Sequence, residues 1–307
     1  MSSPRALPES TASERVSAEE EAWSIGRVVR WAAEDFARKG FSSPRLDAEL
    51  LLGHVLGLDR IRLIVDANRP LAERELTAYR ELIKRRRRGE PIAYIRGERE
   101  FYGLVFRVDA RVLVPRPDTE TLVETALRRT KARSLYGRAL DLCTGSGCVA
   151  IAFARSRPTW RVMGSDLSSD ALAVARENRE RLGSVHNTSF IEGDLFAPLG
   201  PAARFELITG NPPYIPRAEI AELAPDVRDF EPRLALDGGD DGLDLVRRIV
   251  EEAPSHLASG AVLALEIGYG QAAAVAALFE QRGFREVARD KDYGGVERVV
   301  SGVYGPP

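Results

Sequence analysis

Residues 138–150 read Arg-Ala-Leu-Asp-Leu-Cys-Thr-Gly-Ser-Gly-Cys-Val-Ala, and this stretch decides the fold. Ala139-Leu140-Asp141-Leu142 is a short apolar run of strand character, and residues 150–155 continue as a helix. Between them, Cys143, Thr144, Gly145, Ser146 and Gly147 form a glycine loop that opens the helix. The glycines let the backbone turn tightly and let a ligand approach the N–H groups at the helix start. Outward from here, strand patterns at 161–166, 189–192, 205–209 and 261–266 alternate with helical patterns at 171–182, 243–252 and 272–281. That alternation predicts an α/β fold with a mostly parallel, doubly wound sheet. The last two β-rich segments, 284–288 and 298–303, have no helix between them and predict an antiparallel hairpin at one edge.

Upstream the pattern is different. Residues 23–88 show apolar spacings of three and four (Ile25, Val28, Val29, Ala32; Leu46, Leu50, Leu51, Val55). Ser43-Pro44 reads as N-cap and first helical residue, and Arg69-Pro70 breaks the next pair of helices. The run Lys84–Arg88 reads as the solvated end of a helix. Phe101 to Val114 is β-rich and reads as a hairpin turning near Asp109-Ala110. Asp118 is expected to cap a helix running to about Arg129. The expected organisation is a disordered tail over 1–20, a helical substrate-recognition domain over 21–95, a β-hairpin linker over 96–117 and the α/β domain over 118–307.

The glycine loop alone leaves its ligand open. Gly145-Ser-Gly147-Cys-Val-Ala150 also satisfies the dinucleotide pattern G-x-G-x-x-A, so both NAD and S-adenosylmethionine remain candidates. Asp166 closes the second strand about twenty residues on, where an acid would hold ribose hydroxyls; both cofactors carry that ribose. The alternative for Asp166 is a cap for the following helix. Asp194, after the third strand, sits where it would flank an adenine, with Leu195 and Phe196 as apolar cover; an ordinary turn is the competing reading.

The fourth strand runs into Asn211-Pro212-Pro213-Tyr214. Asn211 offers a side-chain carbonyl and Pro212 a main-chain one. The two prolines fix φ and remove donors, so the loop is stiff. Tyr214 offers a flat face. An amide nitrogen is a poor nucleophile because its lone pair is delocalised into the carbonyl. Two acceptors gripping its hydrogens orient it and favour positive charge during attack. Positioning then supplies much of the rate, and no strong general base is needed. A dehydrogenase has no use for two such acceptors at this point.

Composition sets further bounds. With 307 residues, 44% hydrophobic and 29% charged, the chain is an ordinary globular protein. The formal net charge of −2 gives no global pull toward nucleic acid, so direct nucleic-acid binding is not expected. Two cysteines, Cys143 and Cys148, lack metal or redox spacing, and three scattered histidines form no pattern, so no metal is expected. No apolar run reaches membrane length, and the expected setting is a cytoplasmic monomer.

With these residues in view, the sequence resembles a known family. Asp141-Leu-Cys-Thr-Gly-Ser-Gly147, Asp166 and Asn211-Pro-Pro-Tyr214 match class I (Rossmann-like) methyltransferases that act on planar amino or amide nitrogens. The stretch GEPIAYIRGEREFYGLVFRVDARVLVPRPDTE (89–120), together with SPRLDAELLLGHVLG (43–57) and EPRLALDGGDDGLD (231–244), resembles the release factor glutamine methyltransferases. The resemblance implies methyl transfer from S-adenosylmethionine, leaving S-adenosylhomocysteine, to the glutamine N5 of the Gly-Gly-Gln motif in peptide chain release factors. It implies that the cofactor meets Cys143–Gly147, Asp166, Leu195 and Asn211. The glutamine would meet Asn211, Pro212 and Tyr214, with Pro213 in the same stiff loop, and Arg116 and Pro117 would line its entrance. The Asp-Leu-Cys-Thr-Gly-Ser-Gly-Cys form is also similar to enzymes that modify a glutamine of a ribosomal protein. An adenine-N6 nucleic-acid methyltransferase, whose target amine is equally planar, is the other alternative.

Overall fold

The alternation after residue 138 resolves into one sheet of seven strands, in the order Thr188–Glu192, Arg161–Asp166, Arg138–Leu142, Phe205–Gly210, Leu257–Glu266, Glu297–Tyr304, Phe284–Lys291 across the sheet. The computed structural model describes residues 23–305 and divides the chain into two units, 1–96 and 97–307. The tail expected over residues 1–20 lies outside the described residues.

The first unit is helical: α1 (Ile25–Arg38), α2 (Pro44–Leu56), α3 (Arg60–Val65), α4 (Glu73–Arg87) and α5 (Ile92–Arg96). Its core joins Ile25, Val28, Ala32 and Phe36 to Leu51, Leu52, Leu63, Tyr79 and Ile83. The spacing Ile25, Val28, Val29, Ala32 is the buried face of α1, whereas α2 buries Ala48, Leu51 and Leu52 and leaves Leu46 exposed. Pro44 does start α2, but the Ser43 side chain makes no capping bond. The Lys84–Arg88 run ends α4 with Lys84, Arg87 and Arg88 exposed, as expected, but Arg86 turns inward. Arg86 is buried and donates to Asp47 at 2.9 Å, while Arg87 pairs with Asp35 through two nitrogens. Asp35 and Asp47 are both buried, and an unpaired buried carboxylate is costly, so Arg86 is drawn inward and the exposed Arg87 lays its guanidinium on Asp35.

The second unit opens with a hairpin, β1 (Glu98–Phe101) and β2 (Leu104–Arg107). The turn is at Tyr102-Gly103 rather than Asp109-Ala110, since Phe101 pairs with Leu104. Tyr102 and Gly103 have φ of 52° and 69°. A two-residue hairpin turn of this hand needs positive φ at both central residues, which matches strand twist. Asp109 does form a turn, accepting from Arg111 N, but it ends the hairpin instead of reversing it. No atom crowds Gly103, so Gly103→Ala costs only backbone strain, about 1 kcal/mol by thermal or urea melting. A loss several-fold larger would mean that the turn is held by contacts.

Then follow α6 (Glu120–Arg129), β3 (Arg138–Leu142), α7 (Cys148–Ser156), β4 (Arg161–Asp166), α8 (Ser169–Arg181), β5 (Thr188–Glu192) and β6 (Phe205–Gly210). The rest is α9 (Pro225–Arg228), α10 (Asp244–Glu252), β7 (Leu257–Glu266), α11 (Ala272–Gln281), β8 (Phe284–Lys291) and β9 (Glu297–Tyr304). Strands β3 to β7 pair in parallel, and β9 runs antiparallel to β7 and to β8. The expected antiparallel edge is present. Asp118 does not cap α6. It lies in a 3₁₀ turn, Pro117–Thr119, that leads into the helix, and it pairs with Arg298 at 3.1 Å. The chain order reverses between β3 and β6, so the loops after β3 and β6 face each other at the carboxyl ends of adjacent strands, where open α/β sheets hold ligands.

Candidate active site

The loop after β3 is shaped by three anchors. Thr144 Oγ1 donates to Asp141 Oδ2 at 2.6 Å, and Thr209 Oγ1 of β6 donates to Asp141 Oδ1 at 2.8 Å. Burial pushes the Asp141 carboxyl up to about 6 against these donors. Asn178 of α8, fully buried, donates to the Ser146 carbonyl and to Arg107 O, both at 3.0 Å, tying the loop to the hairpin. Gly145 and Gly147 have φ of 54° and 78°, and Cys143 adopts 53°, a conformation unusual for a residue with a Cβ.

Asp166 does not cap the next helix; Ser168 does, accepting from Ala171 N at 3.1 Å. Asp166 instead accepts from Gly145 N at 2.8 Å through Oδ2 and from Ser168 N at 2.9 Å through Oδ1. Burial raises its carboxyl above the ordinary range. Asp194 accepts from Arg248 at 2.9 Å, and the neighbouring Leu195 is buried with φ of 48°.

The loop after β6 is braced from behind. Gln271 Nε2 donates to the Tyr214 carbonyl at 3.0 Å, while its Oε1 accepts from Gly268 N at 2.8 Å. The segment Gly238–Gly242 lies against it. A Cβ on Gly238 would stand 2.8 Å from Pro213 O and from Tyr214 Cα. A Cβ on Gly242, whose φ is 78°, would collide with the Tyr214 carbonyl. These glycines permit a backbone approach that no other residue allows. The Tyr214 hydroxyl donates to Glu266 Oε1 at 3.4 Å, and burial raises its own pKa. Asn211 Nδ2 donates to Thr119 Oγ1 at 3.4 Å.

These loops enclose one cavity of about 330 Å³. Of the residues singled out in the sequence, Cys143, Thr144, Gly145, Ser146, Asp166, Asp194, Leu195, Asn211, Pro213 and Arg116 line it. Gly147, Pro117, Pro212 and Tyr214 do not: Gly147 sits beneath the loop against α7 and α8, and Pro212 is buried. The walls also include Asp141, Thr119, Val149 and Ala171, which the sequence reading did not assign, and Pro232 of the Glu-Pro-Arg segment. Glu231, next to Pro232, is buried and takes Arg116 at 2.6 Å, so the Glu-Pro-Arg segment is not a free surface loop. Burial raises the Glu231 carboxyl despite that guanidinium. Asp141 and Thr119 were hidden because a strand Asp and a Thr after Pro-Asp carry no chemical signature until their partners arrive.

The family model described as the PrmC N-terminal domain matches residues 27–97, and that described as the methyltransferase small domain matches residues 118–224. The release factor glutamine methyltransferase of Geobacter sulfurreducens is 46% identical over 285 residues, spanning 93% of this chain and 98% of that protein. This chain belongs to the release factor glutamine methyltransferase family. The Rhodopirellula baltica relative of the same name is 41% identical over 284 residues, with 91% of this chain and 96% of that protein covered. Among solved structures, the hMettl16 catalytic domain matches with a TM-score of 0.54 at 13% identity, covering 76% of this chain and 84% of that one, a likeness of fold alone. As a member of this family the chain is a methyltransferase, and its mostly parallel sheet with an antiparallel edge is the fold expected of one. Among the described residues no helix is long and apolar enough to cross a membrane.

Proposed function

We propose that the cavity binds S-adenosylmethionine and that the chain methylates the side-chain amide nitrogen of the glutamine in the Gly-Gly-Gln motif of peptide chain release factors, working as a cytoplasmic enzyme. One observation carries this reading: the glycine loop, Asp166 and Asn211 converge on a single cavity. The residues present suit this cofactor better than NAD. A pyrophosphate needs free loop N–H groups, and Gly145 N is already given to Asp166. The walls carry Asp141, Asp166, Asp170 and Asp194, and the two wall arginines are already paired, Arg111 with Asp109 and Arg116 with Glu231, a set that favours a cationic ligand over a doubly anionic one. Cys143–Gly147 with Asp166 would hold it, and Leu195, Val149 and Ala171 supply apolar cover for its base. When bound, the cofactor supplies a methyl group activated on a sulfonium.

The chain's own residues then act on the glutamine. Asn211 Oδ1 and the Pro212 carbonyl take the two amide hydrogens and hold the nitrogen in one orientation. Prolines 212 and 213, braced by Gln271 and the Gly238–Gly242 segment, keep those acceptors from relaxing away. Tyr214 is outside the cavity wall, with its hydroxyl engaged by Glu266, so its part is to brace the loop. Arg116, held by Glu231, lines the approach.

The test is uptake of labelled methyl from S-adenosylmethionine by purified release factor, ribosomes and DNA, offered separately. Label is expected on the release factor, at the glutamine located by mass spectrometry. Label on a ribosomal protein or on DNA would replace this substrate with one of the alternatives. A thermal shift with NAD but none with S-adenosylmethionine would remove the cofactor assignment.

A further inference from the structure

Asn211 is an amide whose two ends are chemical opposites. Its oxygen accepts an N–H from a bound glutamine amide, whereas its nitrogen would meet that N–H donor to donor. Something must select the end that faces the cavity. The nitrogen end is held: Asn211 Nδ2 donates to Thr119 Oγ1 at 3.4 Å, which leaves Oδ1 as the free end. Thr119 is 2% exposed and lines the cavity. Behind it, at the end of β7, stands Glu266, 1% exposed. Tyr214 OH donates to Glu266 Oε1, and the Thr119 hydroxyl beside the carboxyl favours its charged form. Oε2 is buried without a partner of full hydrogen-bond geometry, so the carboxylate has capacity to take the Thr119 proton.

We propose that Glu266, acting through Thr119, is a positioning residue that locks the Asn211 amide with its oxygen toward the substrate nitrogen. The inference rests on the function proposed above. The logic is one of hydrogen-bond direction. A carboxylate only accepts, so the single Thr119 proton goes to Glu266 and the Thr119 lone pairs remain for Asn211 Nδ2. Protonated Glu266 becomes a donor toward Thr119, and the direction of the chain is no longer set.

Burial pushes the Glu266 carboxyl up to about 7. The groups facing it are Thr119 and Asp118 from the turn before α6, Tyr214 from the loop after β6, Arg298 from β9 and Cys148 from α7. Arg298 favours the charge and Asp118 opposes it. The effective, charged form is therefore gained as pH rises through about 7, and kcat rises over the same span.

The test uses the full chain, S-adenosylmethionine and a peptide containing Gly-Gly-Gln. Thr119→Val is expected to lower kcat roughly 10-fold or more, with cofactor Kd by calorimetry within about 3-fold, and Thr119→Ser is expected to restore most of the rate. Glu266→Gln is expected to lose the rise of kcat through pH 7. Independently of turnover, the ¹³C carboxyl signal of Glu266, identified by its absence in Glu266→Gln, is expected to titrate near 7 and to move higher in Thr119→Val. A Thr119→Val enzyme with wild-type kcat, a pH rise that survives Glu266→Gln, or a Glu266 carboxyl titrating like a free one would each overturn the proposal. A wild type that never methylates the peptide condemns the substrate instead, and the ¹³C titration still decides the network.

Discussion

Asn211→Ala is expected to lower kcat by about 10²–10³-fold or more while cofactor Kd stays within a few-fold. The side chain supplies one of two acceptors that orient an intrinsically weak nucleophile. Without it the glutamine nitrogen keeps one grip, rotates, and leaves the line of attack, so the loss falls on the chemical step. Cofactor binding survives because the glycine loop is shaped by other residues: Asp141 through Thr144 and Thr209, Asp166 through Gly145 N, and Asn178 through Ser146 O. None of these bonds involves Asn211. The loop after β6 also keeps its path, since Gln271 and the Gly238–Gly242 segment brace its backbone rather than its side chains. Single-turnover rates and calorimetry separate the two quantities. Turnover within 10-fold of wild type would strip Asn211 of its assigned role.

The second large effect is on affinity. Asp166→Ala is expected to raise cofactor Kd about 100-fold. The loss has two parts. Gly145 N and Ser168 N lose the acceptors they now meet at 2.8 and 2.9 Å, and an unmatched buried N–H costs about 1–3 kcal/mol. The ribose hydroxyls lose their partner as well. Gly145 would lose its own anchor, although its neighbours Thr144 and Ser146 stay held by Asp141 and Asn178. The same residue gives a pH signature. Burial raises the Asp166 carboxyl, so its charged form is lost at a higher pH than an exposed aspartate would show. Affinity should therefore weaken as pH falls, beginning early, and this slope should be shallower in the alanine variant, where Asp141 still titrates in the cavity wall. An unchanged Kd by calorimetry would take Asp166 out of the site.

The fold was written plainly in the order of its elements. A sheet of parallel strands announces itself because each strand is buried on both faces and each crossover needs an amphipathic helix, so apolar runs and 3.6-residue periods alternate over long stretches. The glycine loop and the proline loop were equally legible, since both depend on backbone properties that only glycine and proline possess. Local errors came where one residue type serves two geometries. Tyr102-Gly103 makes the hairpin turn with a tyrosine at positive φ, against its preference, and Asp109, a better turn former, only closes the strand. Arg86 was read as solvated because charge runs usually are, yet Asp47 on another helix draws it inward, while its neighbour Arg87 stays exposed and reaches Asp35.

What the sequence determined by itself was the sheet, the two loops at its carboxyl edge and the chemistry of a planar nitrogen. Tertiary structure alone decided which side chains stand behind those loops. Glu266 lies more than fifty residues from Tyr214 and far further from Thr119, and Glu231 meets Arg116 across a similar gap. Such pairs have no sequence period to betray them. They exist because a buried carboxylate must find donors wherever the fold brings them, and only the folded chain says where that is.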